Sequence, residues 1–252
     1  MKKIICMGIC SLLAGLICCT SQITADVIVF DNFDYPDGSL VGNGGWANHS
    51  GNDGDLQVLN NQVVIQHGTP SEDANLAFTS ITGDIFYGLD FSVSASSAIT
   101  GTDHEYFAHF KDGGFNFSAR LDVVAATAGG DYTVGIASDD GVADAIWATD
   151  LTFDTTYRAV VRYDQVNNIA ELWVDATVSS DTSILGDDKD DPGDTVSQIA
   201  LRQSDSDLNE TVTVDGLVVG SRFEDVVNAV PEPSSGIVLM AFATGMFVRR
   251  RR

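Results

Sequence analysis

The sequence predicts an all-β fold, an antiparallel two-sheet sandwich, and three observations predict it. Between residues 26 and 227 no stretch repeats apolar residues at helical spacing for more than two turns, while many short segments alternate with period two or are β-branched and aromatic. The acids are 30 Asp against six Glu, and Asp favours turns and caps where Glu favours helix. Between the segments stand Gly, Asp and Asn at hairpin lengths, as in Lys111-Asp112-Gly113-Gly114, Gly129-Gly130-Asp131 and Ser138-Asp139-Asp140-Gly141.

Taken in order, strands are expected over residues 27–30, 56–59, 62–66, 76–81, 86–93, 105–110, 115–121, 132–137, 145–149, 157–163, 169–174, 196–202 and 211–219. The clearest hairpin joins Tyr157-Arg158-Ala159-Val160-Val161-Arg162-Tyr163 to Ile169-Ala170-Glu171-Leu172-Trp173-Val174-Asp175. On its second strand Leu172 and Val174 share one face and Glu171, Trp173 and Asp175 the other, so an aliphatic core face turns Trp173 outward beside carboxylates. A cross-strand pair of Arg162 or Arg158 with Glu171 or Asp175 is expected on that outer face.

The chain has 252 residues, 44% of them apolar, enough to bury one large core. Its 36 acids and 13 bases give a net charge of −23, which opposes the phosphate neutralisation on which nucleic-acid binding rests. Nucleic acid is thereby excluded as a partner. Six of the bases lie at the ends, so the body from Asp26 to Pro233 sets seven bases against all 36 acids.

The ends read as targeting segments. Lys2-Lys3, an apolar stretch over 4–17 and a polar segment closing on Thr24-Ala25 form a secretory signal peptide over residues 1–25. All four cysteines, Cys6, Cys10, Cys18 and Cys19, fall within it, so a mature body would carry no thiol or disulfide. At the other end Val230-Pro231-Glu232-Pro233 precedes an apolar stretch over 237–248 and the run Arg249, Arg250, Arg251, Arg252. A short apolar helix followed by arginines keeps its basic end in the cytoplasm and the acidic body outside.

This Pro-Glu-Pro box, hydrophobic helix and Arg cluster resembles the PEP-CTERM sorting signal of Gram-negative bacteria and covers residues 228–252. The resemblance implies recognition by an exosortase, use of the secretion machinery, transient anchoring in the membrane through the C-terminal helix, and delivery to the cell surface or extracellular matrix. The body, residues 26–227, has its own resemblance. Asp31-Asn32-Phe33-Asp34-Tyr35-Pro36-Asp37-Gly38 with Gly45-Trp46, the Tyr157 hairpin and the late Val212-Thr213-Val214-Asp215-Gly216-Leu217 resemble concanavalin A-like, laminin-G-like jelly rolls. That likeness implies extracellular carbohydrate binding, with an inert surface or matrix protein as the alternative.

Sugar rings stack on exposed aromatics, and the candidates are Trp173 and Trp46, with Trp147 beside them. The resemblance also implies a structural calcium shared by the first and last strands, which would fall to Asp31, Asp34 and Asp215. The acidic run 187–194 imitates an EF-hand loop only in composition: counted from Asp188, position five is Pro192 and position twelve is Ile199. A glycoside hydrolase on this fold needs paired carboxylates on one strand face, and Glu171 to Asp175 supplies no such pair of Glu. A polysaccharide lyase needs a His or Tyr base near a cation, and His104, Glu105, Tyr106 and His109 with Arg120 are the residues that could form one. No Gly-x-Ser-x-Gly elbow is present. The chain is read as non-enzymatic.

Overall fold

Period-two alternation does build strands along the body, and they close into two antiparallel sheets. The computed structural model describes residues 26–228 apart from 53, 55, 68–70, 103–104, 188–191 and 205–209. The signal peptide, the Pro-Glu-Pro box and the hydrophobic helix expected at the ends lie outside the described residues.

In chain order the strands are β1 (Val27–Asp31), β2 (Gly38–Ser39), β3 (Ala47–Gly51), β4 (Gln57–Leu59), β5 (Gln62–Gln66), β6 (Glu72–Ala77), β7 (Asp84–Ser94) and β8 (Glu105–Lys111). They continue as β9 (Phe117–Ala125), β10 (Tyr132–Ala137), β11 (Ala145–Ile146), β12 (Tyr157–Asp164), β13 (Ile169–Val174), β14 (Ile184–Asp187), β15 (Gln198–Arg202) and β16 (Thr211–Gly220), with one helical turn, α1 (Phe223–Val226). One sheet has nine strands in the order β14-β13-β12-β7-β16-β5-β4-β2, with β1 also on β16. The other has seven, in the order β11-β10-β9-β8-β15-β6-β3. The expected all-β jelly-roll sandwich is the observed architecture.

The inner faces enclose one continuous core that includes Tyr87, Phe91, Phe107, Phe110, Tyr132 and Tyr163. Strand β16 lies in the middle of its sheet and is shared: its first half pairs β5, its second half pairs β1, and a bulge between Asp215 and Val218 separates the two. The chain's first and last strands are therefore neighbours. In the β12–β13 hairpin Arg162 stands opposite Glu171, and their ion pair closes at 3.2 Å, as the strand parity predicts.

The outer face of the nine-stranded sheet carries a second, smaller core. Phe86, Val160, Trp173, Ala176 and Val218 point away from the main core and are covered by Phe223 and Val226 of α1. Gly88 makes this close approach feasible, because any Cβ there would collide with the Val226 carbonyl. Arg158 fastens the same segment: it donates to Asp90 Oδ1 at 3.1 Å, to the Gly216 carbonyl at 2.8 Å and to the Val226 carbonyl at 2.7 Å.

Candidate functional site

The residues expected to stack on sugars are buried. Trp46 is 2% exposed, tilted against Phe33 with ring centres 6.1 Å apart, and its indole N–H donates to Asp31 at 2.8 Å. Trp173 is 3% exposed and meets Phe223 edge to face at 5.2 Å. Trp173 lies on the outer face, as strand parity predicts, but α1 covers that face and shields the indole from solvent. Trp147 packs half-buried against the main core. In this arrangement neither Trp46 nor Trp173 presents a ring to a ligand.

Asp31, Asp34 and Asp215 are not gathered as a three-residue ligand group, although Asp34 lies near enough to Asp215 to raise its carboxyl, after burial and Asp90. The Asp31 carboxylate accepts from the Phe33 backbone N–H at 2.8 Å, the Tyr35 hydroxyl at 2.9 Å and the Trp46 indole, and so ties together the chain that leaves the first strand. Asp34 is exposed and accepts from Asn32 at 2.7 Å, while Asp215 accepts from the Gly216 N–H at 2.7 Å. Among the described residues no three or more His, Cys, Asp or Glu gather as a ligand group. Residues 188–191 of the acidic run at 187–194 lie outside the described residues.

A different cluster forms on the outer face of the seven-stranded sheet. Two bulges build it. The β8–β9 register slips between Tyr106 and Ala108 and again between Ala108 and Phe110, where Ala119 adopts a φ of 53°. As a result Phe107, Ala108 and Phe110 all join the core, and Tyr106 and His109, three apart, share the outer face. The same slip puts Phe117 and Arg120 together on that face.

The rings there form an unbroken stripe. Phe115, 75% exposed, lies 4.9 Å from His49, which lies 5.5 Å from Phe117. Phe117 is 4.6 Å from His109, and His109 is 5.4 Å from Tyr106. Two guanidinium groups then sit over the Tyr106 ring, Arg202 at 4.2 Å and Arg120 at 5.0 Å, within the range of cation–π attraction. Arg202 is held by Glu105 and by Asp73 at 3.9 Å.

Burial sets the charges along this stripe. Desolvation lowers the His109 imidazole to about 3 and also lowers His49, which feels Lys111 as well, so both rings are neutral at pH 7. Desolvation likewise raises the Tyr106 phenol, the Asp73 carboxyl and, well above the usual range, the Asp122 carboxyl. Asp122 is 1% exposed, and neither of its oxygens receives a hydrogen bond. The result is a row of neutral rings ended by two cations, in which His109 is fully buried and Phe115, with the half-buried His49, Phe117 and Tyr106, forms the part a sugar ring could reach.

Tyr106, His109 and Arg120, the residue types a lyase would use, do come together, while His104 lies outside the described residues. Glu171 is tied to Arg162 and accepts from the Ser183 hydroxyl at 2.7 Å, and Asp175 accepts from the Arg158 backbone N–H at 2.8 Å. The hairpin therefore offers no free carboxylate pair.

The sandwich has solved counterparts. Over 81% of this chain it superposes on a structure titled "Sialidase" at 14% identity with a TM-score of 0.52, and it spans only 19% of that protein's length. It is also similar to the carbohydrate recognition domain of Emp47p, at 12% identity and a TM-score of 0.49 over 77% of this chain and 94% of that one. A seed lectin of Lotus tetragonolobus gives 11% identity and a TM-score of 0.48, with 72% of this chain and 95% of that one covered. No family model and no curated protein sequence matches the chain. Identities this low speak to the fold and leave the site to be argued from its own residues.

Proposed function

We propose that this chain is an exported, surface-sorted protein whose β-sandwich binds polysaccharide along the outer face of its seven-stranded sheet, without catalysis. The observation that carries this reading is the stripe running from Phe115 through His49, Phe117 and His109 to Tyr106. Phe115, 75% exposed at the head of this row, gives a ligand a ring face to stack on. The export half rests on the two terminal segments, on the exosortase that their resemblance implies, and on a body whose charge favours an aqueous exterior.

The test uses the full chain in mild detergent against an array of polysaccharides that includes the host's own exopolysaccharide. Phe115→Ala is expected to weaken binding about fivefold to tenfold, the loss of roughly 1 kcal/mol of ring stacking, with the melting temperature unchanged. Trp46→Phe, a buried change, should leave binding alone. A folded protein silent towards every polysaccharide would overturn the binding reading and leave an inert display protein. Fractionation of the host with mass spectrometry of the C-terminus tests the export half: an unprocessed chain in the cytosol removes it.

A further inference from the structure

Arg120 differs from the other described bases of the body. The body carries seven bases against 36 acids, so every cation has carboxylates to choose from. Arg158 takes Asp90 at 3.1 Å, Arg162 takes Glu171 at 3.2 Å and Asp84 at 3.5 Å, Arg222 takes Asp225 at 2.9 Å, and Arg202 takes Glu105 and Asp73. Lys111 directs its ammonium to the Asp112 carbonyl at 3.0 Å and to Gln198 at 2.7 Å. Among the described residues Arg120 has neither a hydrogen bond nor an ion pair. Its Nε, like those of Arg158 and Arg162, is buried without a hydrogen-bond partner, and what sets it apart is that the guanidinium rests only on two rings, Tyr106 at 5.0 Å and Phe117 at 5.7 Å.

Stacking uses the flat face of a guanidinium and leaves its N–H edge unspent. That edge is a fork matched to carboxylate or sulfate oxygens. Asp122 stands two residues on along the same strand face and feels the Arg120 charge, but its oxygens make no hydrogen bond to the guanidinium, and burial, the largest influence on it, favours the uncharged form. An unpaired arginine at the end of an aromatic stripe, in a body of such negative charge, is therefore a seat for an anion that the protein does not supply.

We infer that the polysaccharide bound on this face is an acidic one, and that the N–H edge of Arg120 takes a carboxylate or sulfate group on a sugar bound at the Tyr106 end of the stripe. This rests on the binding reading above and adds the ligand's charge class. The body's net negative charge opposes approach of an acidic polymer, but that repulsion is long-ranged and is screened beyond about 8 Å at physiological ionic strength, whereas the Arg120 pair forms at contact.

The experiment uses the full chain at physiological ionic strength with matched pairs of polymers: polygalacturonate and its methyl ester, alginate and its propylene glycol ester, and a sulfated galactan and its desulfated form. The acidic member of at least one pair should bind about tenfold tighter than its neutral counterpart, the worth of one charge-assisted pair. Arg120→Gln should bring that ratio to near one, and Arg120→Lys, which keeps the charge without the fork, should restore part of it. Which pair shows the preference separates a carboxylate ligand from a sulfate ligand. Equal binding of both members in every pair, or an acid preference untouched in both variants, overturns the inference while leaving polysaccharide binding in place. No binding to any polymer overturns both.

Discussion

The two outer faces of the sandwich carry the same chemical parts and use them differently. On the nine-stranded sheet an aromatic, Trp173, and an arginine, Arg158, serve the fold: α1 lies over the ring and the guanidinium holds Asp90, Gly216 and Val226, with the Trp173 indole N–H and the Arg158 Nε left without partners. On the seven-stranded sheet Phe115 is mostly exposed, His49, Phe117 and Tyr106 are half-buried with His109 buried among them, and Arg120 rests on rings with its N–H edge unmatched. The difference is one of cover. Where the chain folds its own segment over a face, aromatics and cations become stability; where it does not, they remain available to a ligand.

The sharpest break of this comparison is truncation of an aromatic on each face. Trp173→Ala should cost about 3 kcal/mol, because a large side chain is removed from under α1 and the short segment collapses only partly into the gap. Phe115→Ala should change stability by less than about 0.5 kcal/mol, since its ring is mostly in water already. Urea midpoints of the two variants give the measurement. Equal costs would mean that the faces are not used differently.

Arg158→Met is expected to cost about 2 kcal/mol, because the methionine stem refills much of the volume but leaves the Val226 and Gly216 carbonyls without their charged donor. Trp173 and Arg158 hold the same segment, so their double variant should lose less than the two single costs added together. Strict additivity would separate the clamp from the small core.

How much of this was readable beforehand follows the same division. The hairpin β12–β13 was legible because both strands alternate without interruption, and the Arg162–Glu171 pair fell out of that parity. Strand β3, Ala47–Gly51, was not expected, since Ala-Asn-His-Ser-Gly has no apolar alternation and pairs through its backbone with β6. The strand expected over 76–81 is centred earlier, over Glu72–Ala77, where buried Glu72 and Asp73 disguise the segment as a loop. For Trp173 the face was right and the cover was invisible, because α1 comes from about 50 residues later in the chain. The stripe was hidden by its two bulges: strict period two separates Tyr106 from His109 and Phe117 from Arg120, and the extra residues reunite them. The signal that could have pointed to it was scarcity. Three of the body's seven bases, Lys111, Arg120 and Arg202, fall on β8, β9 and β15 of this one sheet.

The smallest effect concerns the cost of keeping the open face dry. His109 has a folded value of about 3 against an ordinary histidine near 6.5, lowered chiefly by burial, so its contribution to stability is complete above about pH 6.5 and is lost as the pH falls towards 3. His67, lowered to about 4 by burial, acts with the same sign. Asp122 and Glu210, both raised by burial, the latter to about 7, act with the opposite sign: their contributions are lost as the pH rises from the ordinary carboxyl range. Between about pH 7 and about pH 5.5 the buried His109 should therefore cost the fold about 1 kcal/mol, and His109→Gln, which cannot take up a proton there, should reduce the slope of stability against pH by that amount. Urea titrations at several pH values measure it. An unchanged slope would mean that water reaches His109 in the native protein, and that the stripe is hydrated before any ligand arrives.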